Sequence, residues 1–376
     1  GSTTFSGPQL FDVQNVIFIG SSATGSGDGS SLTNLATVAT ADAITDSDAI
    51  FVLVNDGTSI DATGGFSLSD SQTLASFGNG RSFSLGGVPI NVTGDNVQHD
   101  VAISDPAGAA TLTNSGAGDV VTAANGNSLL DFNISGGSAA GINATAINGL
   151  TIQGVTVSNV ATGLILDGVT GAVSVDDLDV QNVSQTGIRL LNSSATVNFT
   201  GNTNVTGAAG GALLVNNFDG TATFDDLDIS GGGGGVAIVN GSSGTLTFGT
   251  GSSIANTLNA FSVAGSTANV TYNGTINQTS SAASAVAINN ETGGSVTFGG
   301  KITASTGAVN AVSLNSNTGA AINFTGGLDL TTDGGYGFSA INGGTLTVTG
   351  SSNTVATGAG VGEKGIVISG MTIGAA

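Results

Sequence analysis

The chain has 376 residues, 25 of them acidic and 4 basic, which gives a formal net charge of −21 at pH 7. Nucleic acid and anionic membrane surfaces are therefore poor partners, because so few Lys and Arg side chains cannot neutralise their phosphates. Glycine contributes 63 residues, cysteine none, and 39% of the residues are hydrophobic. This composition argues against a disordered tail and excludes disulfides and cysteine-bound metal.

Residues 1–110 are predicted to form an N-terminal opening and capping region together with the first coils of a repeat. Short apolar stretches alternate there with turns, as in residues 50–54 followed by the turn at 56–58. No basic segment precedes an apolar one at the N-terminus, so we expect no leader peptide in this sequence. No run of about 20 apolar residues occurs, and we expect no membrane insertion.

A short strand motif recurs further along the chain, with copies that read "AVSVDD", "TVNFTG", "TATFDD", "GTLTFGTG" and "SVTFGG". The last hydrophobic residues of the copies are Val175, Phe199, Phe224, Phe248, Tyr272, Phe298, Phe324 and Val348. Their intervals of 24 to 26 residues are typical of a solenoid, in which each repeat buries its apolar side against its neighbours. The corresponding coils are 172–194, 195–220, 221–244, 245–268, 269–294, 295–320, 321–344 and 345–370.

Each coil contains three short strand-like segments. The first alternates apolar and polar residues, the second is brief, as in residues 178–180, and the third alternates again and ends in asparagine. The terminal asparagines are Asn192, Asn216, Asn240, Asn290 and Asn342. The pattern predicts an all-β fold, a single right-handed parallel β-helix with regular coils over residues 111–376 that continue the first region. Its aromatic residues are expected to stack in an internal file and its asparagines to form a ladder at one corner.

The coil pattern, the inward files and the asparagine corner resemble the right-handed parallel β-helix of the pectin-lyase-like superfamily. Residues 48–80 resemble the start of such helices in bacterial autotransporter and adhesin-type surface proteins. In those proteins a glycine usually precedes the glutamine, whereas Ser71 precedes Gln72 in this sequence. The resemblance implies the fold, and it leaves the function open because the superfamily also contains lyases and glycosidases.

Four carboxylates are the candidate site residues, and they occupy equivalent positions two coils apart: Asp176, Asp177, Asp225 and Asp226. Two coils correspond to about 9–10 Å, a separation that inverting glycosidases use between acid and base. Pectin-degrading enzymes of the resembling fold add a histidine and basic residues, but His99 lies some three coils upstream and Arg189 is expected to point outward. We therefore interpret Asp177 and Asp226 as structural corner residues and Asp179 and Asp228 as solvent-facing, with a Ca²⁺ site at the four candidate aspartates as the alternative and no other cofactor expected.

Threonine is frequent at the two outward positions of the first strand, for example at Thr221, Thr245 and Thr247. Such columns resemble ice-binding solenoids, although threonine is also simply a good strand residue. At the other end, Ile366, Ile368 and Ile373 continue the inward pattern to the last residues, which leaves an open coil for further chain or for head-to-tail self-association.

These patterns predict a secreted or bacterial cell-surface structural and binding segment, an adhesin-like passenger or stalk that is not an enzyme. Glycans or other surface proteins are its expected partners. Two alternatives stay open: a carbohydrate-active enzyme, either a polysaccharide hydrolase or a lyase, and an ice-binding or self-assembling extracellular fibre.

Overall fold

The computed structural model describes residues 16–23, 27–30, 34–76, 83–85, 88–90, 109–255, 257–280, 282–358 and 364–375. The regular secondary structure of these residues consists of β-strands and one short helix. The first strands are β1 (Val16–Ile19), β2 (Ile50–Leu53), β3 (Ile60–Asp61), β4 (Phe66–Ser67), β5 (Thr73–Ser76), β6 (Phe83–Leu85), β7 (Val88–Ile90), β8 (Thr111–Thr113), β9 (Val121–Ala123), β10 (Asn127–Leu130), β11 (Asn133–Ser135) and β12 (Ala140–Thr145), and the helix is α1 (Val38–Asp42). The remaining strands are β13 (Asn148–Ser158), β14 (Thr162–Asp167), β15 (Thr170–Gln181), β16 (Thr186–Leu191), β17 (Thr196–Thr206), β18 (Gly211–Asn216), β19 (Thr221–Ser230), β20 (Val236–Val239), β21 (Thr245–Phe248), β22 (Ser253–Ala255), β23 (Phe261–Ala264), β24 (Asn269–Tyr272), β25 (Thr275–Gln278), β26 (Val286–Asn289), β27 (Ser295–Phe298), β28 (Ile302–Thr306), β29 (Val312–Asn315), β30 (Ala321–Phe324), β31 (Leu328–Thr332), β32 (Phe338–Ile341), β33 (Thr345–Val348), β34 (Thr354–Thr357), β35 (Ile366–Ser369) and β36 (Thr372–Ile373).

Two parallel sheets form the wall of a solenoid. In the described part of the chain, sheet 1 contains 22 strands and sheet 2 contains 12, from β4 at one end to β35 at the other. Each coil runs along sheet 1, crosses sheet 2 and returns one strand further along, as in β19, β20 and β21. Every strand of the two sheets pairs in parallel with its equivalent one coil away, for example Phe224 with Phe248. The predicted all-β parallel solenoid is confirmed.

The first two predicted strands of a coil are one continuous bent strand in the middle of the molecule. Strands β13, β15, β17 and β19 each run for 10 to 12 residues through the predicted corner. Pairing between β15 and β17 shifts register after Asp176, and Asp177 has a φ of 50°. A residue in this left-handed conformation bends the strand without ending it. From β21 onward the same path is divided into two short strands.

The inward aromatic residues stack as predicted. Phe199, Phe224 and Phe248 lie one above another with centroid separations of 4.3 and 4.9 Å and interplanar angles of 10° and 7°. Tyr272 tilts by 52° from Phe248, because Phe261 of sheet 2 packs edge-on against both rings. These rings are buried, and they fill the space between the sheets at the 4.7–4.9 Å spacing of the strands.

The asparagine corner follows sheet 2, but Asn216 was assigned to it wrongly. Asn216 is the last residue of β18 and pairs with Leu191, whereas Asn217 occupies the corner with a φ of 52°. The Nδ2 of Asn217 donates to the Oδ1 of Asn192 over 3.0 Å. The equivalent corners with positive φ are Asn192, Asn240, Gly265, Asn290, Ser316 and Asn342. Because glycine and serine share the position, left-handed backbone geometry explains the column better than a continuous amide ladder.

The N-terminal part joins the same wall. Strand β5 pairs with β2 on one side and β10 on the other, and α1 contributes Val38 and Ala41 to the main core. The side chain of Gln72 donates to two backbone carbonyls and accepts the N–H of Ser69, which ties the start of the solenoid together. A domain division at residue 110 stays a prediction, and His99 lies outside the described residues.

The last described coil exposes its apolar positions. Ile366, Ile368 and Ile373 continue the register of the solenoid but are 59%, 47% and 64% exposed. Head-to-tail self-association through this end stays a prediction. The described residues contain no helix that is long and apolar enough to cross a membrane.

Candidate active site

Six carboxylates gather on the outer face of sheet 1, where β15, β17 and β19 bend. We call this surface the acidic bend, and its members are Asp176, Asp177, Asp179, Asp225, Asp226 and Asp228. The strand register sets the separation between the aspartates of β15 and those of β19, because Asp179 pairs with Asn204 and Asn204 pairs with Asp228. Equivalent carboxylates of the two coils are therefore two strand spacings apart, about 9–10 Å. The structure thus brings the four predicted aspartates onto one surface.

On the first coil of the acidic bend, two aspartates differ in their contacts. Asp176 accepts hydrogen bonds on both oxygens, from the Nε2 of Gln153 at 3.3 Å and from the Oγ1 of Thr200 at 3.1 Å. Asp177 is exposed, and its Oδ1 accepts the backbone N–H of Asn202 at 3.1 Å. The backbone contact therefore fixes one oxygen of Asp177.

The coil between the two acidic coils breaks the repeat pattern. Strand β17 carries an additional residue at Gly201 and Asn202, and Gly201 has a φ of 65°. A Cβ on Gly201 would stand 2.5 Å from the Oδ1 of Asp177, so any other residue there would displace that carboxylate. Thr203 then occupies a core position with no exposure, and its hydroxyl has no hydrogen-bond partner among the described residues. An additional residue in a strand and a buried hydroxyl group without a partner both depart from regular strand structure, and such departures are expected at functional sites.

Asp226 has the most unusual environment of the acidic bend. Its carboxyl group lies against Gly251 of the next coil, where an added Cβ would stand 2.8 Å from both Cγ and Oδ2. The Oδ1 atom is buried and has no hydrogen-bond partner in the part of the chain that the structure describes. Burial, and next the negative charge of Asp228, raise the pKa of Asp226 above its ordinary value. Burial and the neighbouring charge therefore favour the neutral form of Asp226 more than they would for an aspartate in solvent.

The flanking carboxylates are held by donors of the following coil. The Nδ2 of Asn204 donates to the Oδ1 of Asp179 at 2.7 Å, and the Oγ of Ser253 donates to the Oδ1 of Asp228. These contacts keep Asp228 beside Asp226. The acidic bend therefore combines one half-buried carboxyl group, whose Oδ1 has no partner among the described residues, with several hydrogen-bonded ones, a contrast of environments like that between acid and base in many hydrolases.

The other residues considered in the sequence lie elsewhere. Arg189 points outward from sheet 2 between buried Ile188 and Leu190, as predicted, and its Nε is buried without a partner among the described residues. Within the same residues, no three His, Cys, Asp or Glu side chains are arranged to hold a metal ion. Binding of Ca²⁺ to the four candidate aspartates stays a prediction, which a calorimetric titration would test.

Sequence reasoning identified the aspartates but missed the residues that differentiate them. Those residues are Asn202, which donates to Asp177, and Gly251, which lies against Asp226. The 25-residue separation of Asp226 and Gly251 equals one coil, so the repeat period was the signal that could have placed them side by side.

A comparison with protein-family models finds no match, and a comparison with curated proteins finds none. Among solved structures, the chain is similar to the catalytic unit of a thermostable GH87 alpha-1,3-glucanase from Streptomyces thermodiastaticus strain HF3-3. The two chains share 12% sequence identity with a TM-score of 0.41, and the match covers 100% of this chain and 72% of that one.

Two sequence-based predictions are wrong against this comparison, namely an adhesin-like segment without catalysis and a protein that is not an enzyme. The similar structure is a catalytic unit. The resemblance to autotransporter-type proteins is unconfirmed, and the fibre alternative gains no support. Action on alpha-1,3-glucan is a property of that glucanase, whereas the chemistry of this chain has to be inferred from its own carboxylates.

Proposed function

We propose that the protein is a polysaccharide hydrolase of the inverting type, with Asp226 as general acid and Asp177 as general base. The observation that carries the proposal is the environment of Asp226, a carboxyl group with a raised pKa and a buried oxygen that lacks a partner among the described residues. A perturbed acid on an accessible surface is a recognised indicator of catalytic function.

The spacing of the two carboxylates supports an inverting reaction. Asn202 pairs with Asp226 on one side and donates its N–H to Asp177 on the other, so the two aspartates flank a single intervening coil. Two strand spacings put the backbones of the two aspartates about 9–10 Å apart, near the upper end of the carboxyl separation of about 6.5–9.5 Å in inverting enzymes. Retaining enzymes need about 5–5.5 Å, which corresponds to a single spacing.

In the proposed reaction, Asp226 donates its proton to the glycosidic oxygen as the bond from that oxygen to the anomeric carbon breaks. Asp177 takes a proton from a water molecule, whose oxygen forms the new bond to the anomeric carbon on the opposite face. The two carboxyl groups exchange their protonation states, and solvent restores them. A lyase would need a basic side chain to remove the proton at C5, and the described part of the acidic bend has none, which favours hydrolysis.

We further propose that the chain belongs to the pectin-lyase-like superfamily and acts outside the bacterial cell. The three-segment coils and the corner asparagines support the first statement. The second is supported by the size of the proposed substrate, since a polysaccharide meets a hydrolase outside the cell. A glycan is then the main partner.

The experiment is a reducing-end assay on a panel of polysaccharides, with wild type and three variants. Asp226→Asn and Asp177→Asn are each expected to lower kcat by at least about 10²-fold, the usual contribution of a general acid or base. Asp219→Asn is the matched control, because Asp219 is an exposed aspartate in the turn that precedes β19, the strand that contains Asp226. Full activity of Asp226→Asn, or no product from any polymer with wild type, would refute the proposal.

A further inference from the structure

The charges around the acidic bend restrict what can approach it. Over residues 170–255, all of which are described, the basic side chain is Arg189, and it lies on the outer face of sheet 2. Lys301 is about three coils further along, and its Nζ is 3.3 Å from the Oδ2 of Asp329. Neither cation is placed to neutralise an anion bound among the six carboxylates.

A column of uncharged polar side chains runs beside the acidic bend on the outer face of sheet 1. We call it the polar track, and pairing registers align its members from coil to coil: Ser135, Ser158, Gln181, Thr206, Ser230, Ala255, Asn277 and Thr303. All except Ala255 carry a hydroxyl or amide group. Seven of these eight residues therefore offer a donor or an acceptor, and none of the eight carries a charge.

The exposed oxygens of the acidic bend are hydrogen-bond acceptors, and a sugar hydroxyl supplies the donor that such oxygens need. A uronate carboxylate supplies only acceptors and would bring a further negative charge next to Asp225 and Asp228. Like charges at such distances are disfavoured at low ionic strength, and salt weakens the effect beyond about 10 Å at 0.1 M.

We propose that the substrate of the acidic bend is a neutral polysaccharide, which binds through its hydroxyl groups to the carboxylates and the polar track. This inference rests on the proposed hydrolase function for its catalytic part. The binding part stands on the distribution of charges and hydrogen-bonding groups. Carboxylated polymers are excluded by repulsion, which is the feature that separates this site from one built for pectin.

Affinity electrophoresis tests the inference with polymers that differ only in charge. Gels contain dextran, pullulan or hydroxyethyl cellulose in one series, and carboxymethyl dextran, carboxymethyl pullulan or carboxymethyl cellulose in the other. At least one neutral polymer is expected to retard wild type, while its carboxymethyl form does not. Gln181→Lys introduces a cation into the polar track and is expected to strengthen binding of that carboxymethyl polymer about fivefold, which is close to 1 kcal/mol. Thr349→Lys adds the same charge at an exposed position near the C-terminal end and should leave binding unchanged.

Retardation of wild type by a carboxymethyl polymer, or by none of the polymers, would overturn the inference. An equal gain from Gln181→Lys and Thr349→Lys would overturn it as well, because net charge alone would then account for binding. Product release is measured on the same polymers. Retardation by a neutral polymer without any hydrolysis supports the neutral-glycan site while it refutes the proposed hydrolase.

Discussion

Truncation of Phe248 to alanine should cost more stability than most changes in this chain. The ring has no exposure and lies 4.9 Å from Phe224, 5.5 Å from Tyr272 and 6.1 Å from Phe261, measured between centroids. Replacement of a core phenylalanine by alanine costs about 3–5 kcal/mol. Three ring contacts are lost at once, and the strand ladders of both sheets hold the neighbouring coils apart so that the cavity cannot close. We therefore expect Phe248→Ala to fall in the upper half of that range.

Urea unfolding, followed by circular dichroism in the far ultraviolet, measures the effect. Thr247→Ala is the control, because Thr247 neighbours Phe248 in β21 but faces outward, and its replacement should cost less than about 1 kcal/mol. Amide hydrogen exchange adds a spatial readout, since loss of protection should centre on β19, β21 and β24. Equal unfolding midpoints for the two variants would mean that the ring stack does not hold the coils together.

Four further changes test particular contacts. Gly251→Ala should push the carboxyl group of Asp226 toward solvent and lower the raised pKa of that group. The basic limb of the pH–rate profile should then move to lower pH, and an unmoved limb would show that Gly251 does not position Asp226. Burial raises the pKa of Glu291. The contribution of this residue to the free energy of unfolding is therefore complete below its unfolded pKa of about 4.3, and it is lost as the pH rises through the folded pKa. Glu291→Gln should raise the urea midpoint more at about pH 8 than at about pH 4, and an equal change at both pH values would contradict this linkage. Ser71 has a φ of 64°, so Ser71→Gly should relieve strain and raise the free energy of unfolding by about 0.5–1 kcal/mol, whereas a loss would assign the serine hydroxyl a stabilising role. Thr203→Val should stabilise by about 1 kcal/mol because it removes a buried hydroxyl without a partner among the described residues, and a lower unfolding midpoint would point to a bound partner.

The regular features of the fold could be predicted because each coil repeats the same physical problem. The interval of 24 to 26 residues placed Phe199, Phe224 and Phe248 in one column, and pairing registers confirm it. The same alternation placed Arg189 outward correctly. Prediction failed at Asn216, since the sequence has two adjacent asparagines and only the backbone shows that Asn217 has the left-handed conformation.

The candidate site could be predicted only in part. Equivalent aspartates were visible from the period, but the difference between Asp177 and Asp226 comes from neighbours one coil away. Gly251 gives no chemical signal in a sequence, since its role is to leave space for a carboxyl group. The additional residue at Gly201 also shifts the alternation of β17, so the buried position of Thr203 could not be read from the pattern.

The proposed inverting action of the acidic bend is tested most directly by the anomeric configuration of the first product. Proton NMR is recorded during hydrolysis of an oligosaccharide of the preferred polymer, before mutarotation equilibrates the new reducing end. A separation of two strand spacings between Asp177 and Asp226 predicts that the first product has the opposite configuration to the cleaved bond. A product that retains the configuration would require a covalent intermediate on a closer pair of carboxylates, and it would contradict this assignment of acid and base.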